Sequence, residues 1–346
     1  MATTKNIKKT CIIALSLTFL VVAFTLALLL GAQKLSLSSI ISGKASFSKT
    51  ILLKIRLPRA ILVLITGLLL GGSGAVFQLF FRNPLAEPGI LGISSGATLG
   101  AVIATVFLTP LFATNGIFAP LLPIAHFISP VNLFAFITSI LAGLFVTFLA
   151  FTKAGKNSSI MLLLCGTSLG TLYSALSSFI LLTCNKELRP IYTWILGSFN
   201  GRGWNEVYFI TIPSLLSILI MFLISKPLDL LSGGEKSAMS LGVEVKKLRI
   251  LVLISGSLSV SCSVCAGGTI GFIGLIAPHI VRKLYGPNAK SLIPLSMIFG
   301  SILLLVSDTF ARIIIAPAEI PAGIITSILG VPFFISLCLK KQNGYN

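Results

Sequence analysis

Charged residues are scarce in this sequence, and acidic residues are the scarcest. Only 10% of the 346 residues are charged, with 26 Lys and Arg against 8 Asp and Glu. An ordinary soluble domain has roughly 25% charged residues, so a cytosolic enzyme, a disordered chain and a secreted disulfide scaffold are excluded. An ion-driven secondary transporter needs carboxylates inside the membrane, and only Asp308 comes close to such a position.

Motifs for chemistry are absent as well. The six cysteines are scattered, and the pair Cys262 and Cys265 lacks the further ligands of a metal site. No phosphate-binding G-x-x-x-x-G-K-S/T motif occurs, so the ATPase-like stretch LSGGE at 231–235 is interpreted as a chance match. We therefore predict no enzyme activity, no catalytic residue, no cofactor and no metal site. The lack of a basic, aromatic-rich cluster argues against nucleic-acid binding.

Long apolar runs are what the sequence does contain. Apolar residues make up 55% of the chain, and the mean hydropathy is +1.04. Because about 20 apolar residues cross a bilayer as a helix, the pattern predicts an all-α polytopic membrane protein with ten spans. The first run is interpreted as a retained helix rather than a signal peptide. The predicted spans are 10–32, 57–81, 91–111, 131–152, 158–183, 204–225, 250–266, 268–285, 291–312 and 320–339.

The basic residues predict the orientation of the chain. With both termini inside, sixteen Lys and Arg fall in inner segments and ten in outer ones, as the positive-inside rule requires. Six of the ten outer residues lie between 34 and 59, in the outer loop at about 33–56 and the start of the next span. An acidic partner on the outer face would explain this exception. The polar inner loop at about 226–249 is long enough for two short helices and for docking of a soluble partner.

Two parts of the chain carry motifs of higher specificity. Residues 56–100 contain RLPR and NPLAEPG, and residues 267–341 contain GFIGLIAPHIVR and AEIPAG. These segments resemble, in order and spacing, the FecCD-type permease family, the membrane subunits of binding-protein-dependent ABC importers for iron-siderophores, haem and vitamin B12. The resemblance implies one permease domain over 1–346, a bundle like that of vitamin B12 importer permeases, both termini in the cytoplasm, and two inverted repeats in spans 2–5 and 7–10.

The resemblance also implies three sets of site residues. Arginines matching Arg56, Arg59 and Arg312 pair with glutamates of the soluble binding protein, and the alternative role is anchoring to lipid phosphates. Small hydroxyl residues matching Ser158 and Ser159 line a cytoplasmic constriction of the pathway, while an ordinary helix cap is the alternative. The segment that contacts the ATPase matches Gly234, Glu235, Ala238, Leu241 and Gly242.

The positions of two acidic residues, Asp308 and Glu87, indicate specific roles. Asp308 lies one turn before Arg312 and is predicted to pair with it. Glu87 follows the second span and could contact Arg82, face the ATPase or cap the next helix. Capping is the favoured interpretation of Glu87.

Together these features predict a multi-pass permease of the bacterial cytoplasmic membrane that translocates an iron chelate. An iron-siderophore is the favoured cargo, with haem or vitamin B12 as alternatives. Two separate cytoplasmic ATPase subunits would hydrolyse ATP, and an extracytoplasmic binding protein would deliver the cargo. A second permease subunit would complete the pathway, with a homodimer favoured over a pair of paralogues. A secondary transporter and a structural membrane subunit are the alternatives from other classes.

Overall fold

The computed structural model describes residues 2–31, 33, 46–108, 127–149, 159–184 and 189–342. Within these ranges the chain forms fourteen α-helices and no strand, which confirms the all-α prediction. The helices are α1 (Ala2–Leu29), α2 (Ser46–Ile51), α3 (Leu57–Phe80), α4 (Ile93–Ile103), α5 (Pro130–Leu149), α6 (Ser159–Leu182), α7 (Arg189–Ile195), α8 (Trp204–Leu223), α9 (Ser225–Ser232), α10 (Glu235–Ser240), α11 (Val245–Gly267), α12 (Ile273–Tyr285), α13 (Ala289–Ile313) and α14 (Ala322–Gln342).

Each of the ten predicted spans coincides with one of these helices. Seven described helices are long and apolar enough to cross a membrane, and two further apolar helices, Ile93–Leu108 and Ala322–Ser336, are shorter. The tenth, α12, has 13 residues. Three helix starts differ from the prediction by five residues or more: α1 begins at Ala2 rather than at 10, α11 at Val245 rather than at 250, and α12 at Ile273 rather than at 268. The hydropathy pattern detects only the apolar part of a helix, and the first turn of α11 is polar.

Helices α3, α11 and α13 form the centre of the bundle. Helix α3 packs along α13 on one side and against α11, α12 and α8 on the others. About 78% of the apolar windows of the α3 and α11 spans is buried, compared with 17% for α1 and for α6. The outer faces of α1 and α6 therefore remain open to lipid or to another subunit.

Close backbone contacts hold the central helices together. A Cβ atom at Gly74 of α3 would overlap the carbonyl oxygen of Gly274 in α12. A Cβ atom at Gly67 of α3 would also overlap the backbone of Ser301 in α13. Such small faces let helices approach in a membrane where no hydrophobic effect drives them together, and they make α3 and its neighbours one packed unit.

The two ends of α3 define the two ends of the bundle. Arg59 lies near the first residue of α3, and Arg82 follows its last turn. Helices α9 and α10 lie at the second end, where Arg82 Nη2 donates a hydrogen bond to the carbonyl oxygen of Leu231 at 2.6 Å. Following the predicted orientation, we call the Arg59 end the outer end and the Arg82 end the inner end.

Candidate functional site

Arg59 lies at the centre of a group of buried charges at the outer end. Its Nη2 is 2.9 Å from Asp308 Oδ1, and its Nε is 3.2 Å from Asp308 Oδ2. Its Nη1 donates to Glu319 Oε2 at 2.8 Å. A planar guanidinium suits such two-point contact with a carboxylate. We call Arg56, Arg59, Asp308, Arg312 and Glu319 the outer arginine cluster.

Asp308 also pairs with a second arginine. Its Oδ2 is 3.2 Å from Arg312 Nε, one turn further along α13, which confirms the predicted pairing. One carboxylate thus lies between two guanidinium groups, and the cluster as a whole has three positive and two negative side chains. The cluster borders a cavity of about 380 Å3 that is also lined by Gln33 and Thr50.

Arg56 and Arg312 complete the C-terminal end of α1. The last carbonyl groups of a helix have no partner within the helix. Arg56 Nη1 donates to the carbonyl oxygens of Leu28 and Leu29, and Arg312 Nη2 and Nη1 donate to those of Ala27 and Leu30, over 2.7–3.2 Å. The positive charges also complement the negative end of the helix dipole. These bonds tie α1 to the start of α3 and the end of α13.

The structure therefore brings the three predicted docking arginines together and also gives each of them partners within the chain. The exposed fractions of Arg56, Arg59 and Arg312 are only 5–7%. Glu319 is the more accessible partner, with 25% of its side chain exposed. Exposed Lys54 lies just before Arg56 on the same end. Docking of a binding protein stays a prediction.

The predicted ATPase-contacting loop contains two short helices, α9 and α10, as expected. We call residues 225–244 the coupling segment. Gly234 has φ +117° and Gly242 has φ +85°, a left-handed region that favours glycine. A Cβ at Gly242 would meet no atom within 4 Å, and Leu241 beside it is 64% exposed. The segment thus presents an open surface at the inner end.

Two contacts fix the coupling segment to the centre of the bundle. Arg82, after α3, donates to Leu231, and the backbone N–H of Ala289, the first residue of α13, donates to Asp229 Oδ1 at 2.5 Å. Ala238 is fully buried in the hydrophobic core. Of the five residues predicted to contact an ATPase, Ala238 is thus an internal anchor, and the remaining four lie wholly or partly at the surface.

The remaining predicted positions are the two serines at the start of α6 and Glu87. Ser159 is the first residue of α6, and Ser158 lies outside the described residues, so the gate stays a prediction. Glu87 occupies the N-cap position of a 3-10 turn, Pro88–Leu91, but its side chain makes no capping hydrogen bond. Capping is therefore wrong for Glu87, because its backbone is positioned as a cap while its carboxylate is not.

The chain matches a known transport family over most of its length. The model of the FecCD transport family matches residues 19–340. The chain belongs to the FecCD transport family. This FecCD protein is therefore a multi-pass ABC importer permease, and the family accounts for the absence of enzyme motifs.

Relatives of the FecCD permease cover nearly its whole length. The iron(3+)-hydroxamate import system permease protein FhuG of Bacillus subtilis is 36% identical, over 98% of this chain and 99% of that protein. The vitamin B12 import system permease protein BtuC of Vibrio vulnificus is 34% identical, over 95% and 94%. A solved structure of a metal-chelate type ABC transporter in an inward-facing conformation matches with a TM-score of 0.80 and 33% identity, over 96% and 99%.

Two features of the FecCD permease escaped the sequence analysis. The hydrogen bonds that cap α1 join residues separated in the sequence by between 27 and 285 positions. No local sequence pattern indicates such a contact. The pairing of Glu319 with Arg59 also spans 260 residues. The only signal for Glu319 was its place in the motif AEIPAG, close to the charged end of span nine.

Proposed function

We propose that the FecCD permease couples an outer binding protein to inner ATPase subunits through the helix pair α3 and α13. The supporting observation is that the same two helices meet both candidate sites. Arg59 of α3 and Asp308 of α13 form the centre of the outer arginine cluster. At the inner end, the coupling segment is held by Arg82, two residues after the end of α3, and by Ala289, the first residue of α13.

This arrangement suits transmission of a rigid-body movement. A helix of 24 residues is about 36 Å long, and α3 packs against α13 along its length with backbone contacts at Gly67 and Gly71. Such a pair cannot bend independently at one end. A shift of the coupling segment, imposed by two separate ATPase subunits through Gly234, Glu235, Leu241 and Gly242, would therefore reach the outer arginine cluster.

We further propose that α6 faces the transport pathway, opposite the same helix of an identical second permease. Helix α6 has exposed hydroxyl groups on Thr167, Ser168 and Thr171 between exposed leucines. Their protons bond to carbonyl oxygens one turn back, so their cost in an apolar setting is small. A weakly polar face of this kind admits a cargo and releases it again. Ser158 and Ser159, at the start of α6, are the proposed inner constriction.

Docking on the outer arginine cluster can be tested by charge reversal. With three positive and two negative side chains, the cluster has an unmatched positive charge beside the 380 Å3 cavity, and a carboxylate of a partner would neutralise it. Arg56→Glu together with Arg59→Glu should abolish binding of the cognate soluble binding protein. Lys54→Glu is the matched control, because Lys54 is exposed and acts mainly on the encounter rate.

Because the cluster also holds the fold together, a second variant separates the two roles. Glu319→Gln removes a competing carboxylate from Arg59 and should strengthen binding of the binding protein severalfold. Affinity is measured on reconstituted permease–ATPase complex by surface plasmon resonance. Unchanged affinity in both the charge-reversal and the Glu319→Gln variants would reject docking and leave the contacts within the chain as the role of these arginines.

The proposed cargo is an iron(3+)-hydroxamate type chelate, taken across the cytoplasmic membrane. Support comes from FhuG, which matches over almost the full length of both chains. The similarity to BtuC favours vitamin B12 as a second candidate. Uptake of a 55Fe-labelled hydroxamate chelate and of 57Co-labelled cobalamin, in cells lacking this permease and in cells with it restored, decides between them. Uptake of neither chelate on restoration would reject both cargoes.

A further inference from the structure

A cavity of about 800 Å3 lies between α1 and α13 at the inner end of the bundle. Helix α1 contributes Lys9 and Ile13 to its wall, and α13 contributes Lys290 and Ile298. The link between α12 and α13 closes one side with Asn288. None of the described lining residues belongs to the outer arginine cluster or to the coupling segment, so the cavity is separate from both candidate sites.

The cavity exists because α1 packs closely on the bundle only toward its outer end. There Ala23 and Ala27 are buried, and Arg312 of α13 donates to the carbonyl oxygens of Ala27 and Leu30. Between residues 9 and 15 of α1 no side chain is buried. The gap between α1 and α13 therefore opens in the half of the membrane that faces the cytoplasm.

The wall of the cavity is polar at one depth and apolar at the next. Lys290 and Ser291 lie in the first turn of α13, and Ile298 lies about 12 Å further into the membrane at 1.5 Å per residue. Lys9 is the first residue of the apolar span of α1, and Ile13 lies about one turn deeper. Both helices thus present positive charge at the level of lipid headgroups and apolar side chains at the level of acyl chains.

The two lysines of the cavity have no carboxylate partner in the part of the chain that the structure describes. Lys9 Nζ lies 5.2 Å from the centroid of the Tyr285 ring, a cation–π contact that leaves its N–H groups available to an anion. The carboxylate of Asp229 accepts the N–H of Ala289 beside the cavity, but it does not line the wall. The lining residues therefore supply positive charge alone.

The backbone at the start of α13 is already satisfied and does not form the site. The N–H of Ala289 donates to Asp229, and the N–H of Lys290 donates to Asn288 Oδ1 at 3.0 Å. The N–H groups of the next two residues donate to the carbonyl oxygen of Asn288. The remaining donors are side-chain groups, namely the two ammonium groups and the NH2 group of Asn288.

We propose that this cavity binds an anionic phospholipid of the inner leaflet. The flexible side chains of Lys9 and Lys290 meet its phosphate, and an acyl chain lies along Ile13 and Ile298. Basic pockets between spans on the cytoplasmic side recognise such headgroups, and cavities of about 300–1,000 Å3 hold ligands of this size. A soluble phosphate would leave the apolar wall uncovered, and a zwitterionic lipid brings its own cation to the lysines. This inference does not rest on the proposed cargo or partners.

The first test compares two lipids that share their acyl chains, phosphatidylglycerol and phosphatidylcholine. Native mass spectrometry of the full-length permease in detergent should show several-fold tighter binding of phosphatidylglycerol. Lys9→Gln together with Lys290→Gln should weaken that binding about tenfold and leave phosphatidylcholine unaffected. Lys246→Gln together with Lys247→Gln is the matched control, because it removes two exposed inner-end charges outside the cavity.

A second test separates a lipid from its headgroup. Phosphatidylglycerol should raise the unfolding temperature, followed by tryptophan fluorescence, by a few degrees, since a ligand that binds only the folded state stabilises it. Glycerophosphoglycerol and inorganic phosphate should not, because neither covers the apolar wall. An equal shift with either soluble compound would overturn the lipid proposal in favour of a phosphate site.

Photolabelling of the unmodified protein gives an independent measurement if the double lysine variant fails to fold. Phosphatidylglycerol with a diazirine on one acyl chain should label α1 near Ile13 and α13 near Ile298, as located by mass spectrometry. Phosphatidylcholine with the same group should label these positions several-fold less. The proposal is overturned if both lipids label them equally, if the labels lie elsewhere, or if the folded double variant binds phosphatidylglycerol as the wild type does.

Discussion

Two ion pairs of almost equal length show how differently the two ends of this permease are built. At the outer end, Arg59 and Asp308 lie 2.9 Å apart with side chains 9% and 3% exposed. At the inner end, Lys247 and Glu244 lie 2.8 Å apart with side chains 72% and 65% exposed. Water screens the second pair, which contributes about 0.3–0.5 kcal/mol. Loss of one partner from a buried pair costs about 3–5 kcal/mol, because the other charge stays buried.

The comparison distinguishes the stability of each end of the bundle from the accessibility of its surface to a partner. The outer arginine cluster satisfies most of its charges from within the chain, so a partner that binds there has to meet groups already in use. The coupling segment leaves Leu241 and Gly242 uncovered, so a partner meets a free surface. Substitutions at the outer end should therefore change both stability and binding, whereas those at the inner end should change binding with smaller effects on stability.

The largest effect is expected at Asp308. Asp308→Asn removes the charge that lies between Arg59 and Arg312, and the free energy of unfolding should fall by about 3–5 kcal/mol. Denaturation in detergent, followed by tryptophan fluorescence, measures the change. Glu319→Gln is the control, because Glu319 is more exposed and its loss should cost about 1 kcal/mol. Equal effects of the two variants would contradict the role given to burial.

A smaller loss is expected when the cap of α1 is removed. Arg56→Met breaks hydrogen bonds to the carbonyl oxygens of Leu28, Leu29 and Gln33, which should cost about 1.5–3 kcal/mol because the donor is charged. Hydrogen exchange should accelerate at the last turn of α1. The same change at exposed Lys54 should leave exchange there unaltered. Identical exchange in wild type and Arg56→Met would show that these bonds do not hold the helix end.

At the inner end, volume and backbone strain can be separated at Gly242. Both Gly242→Ala and Gly242→Leu force a side chain onto φ +85° and should lose about 1–2 kcal/mol of stability. Only the leucine adds bulk to the uncovered surface, so it should reduce copurification with the ATPase subunit much more than the alanine does. Equal copurification of the two variants would remove this surface from the proposed ATPase contact.

The smallest effect is expected at the exposed pair. Glu244→Gln removes the partner of Lys247 and should change the free energy of unfolding by less than about 0.5 kcal/mol. The remaining contribution should disappear in 0.5 M salt, which screens exposed charges. A loss above about 1 kcal/mol would contradict the small contribution expected of an exposed pair.

Features that depend on neighbouring residues could be predicted from the sequence. The ten apolar runs predicted ten helices, and the pairing of Asp308 with Arg312 followed from their four-residue spacing. The predicted end of span seven at 266 also agrees with α11, which ends at Gly267. In each case the signal lies within one turn of a helix or within one apolar run.

Features that depend on the packed bundle could not be predicted in the same way. Arg59 pairs with Asp308 and Glu319, which lie 249 and 260 residues away in the sequence. The sequence alone shows only that all three side chains are charged. Ala238 lies in a motif that the resemblance associates with the ATPase, yet its side chain is buried. Glu87 occupies the backbone position of a cap, but the space around its carboxylate depends on α11 and α12.

The cap of α1 has a consequence for the order of biogenesis. Helix α1 enters the membrane first, but the carbonyl oxygens of Ala27 and Leu30 receive their hydrogen bonds from Arg312, 285 and 282 residues later. At roughly 5–20 residues per second, synthesis of that stretch takes roughly 15–60 s. During this interval the end of α1 is incomplete, so the nascent first helix needs water, headgroups or an insertion factor until the ninth span arrives.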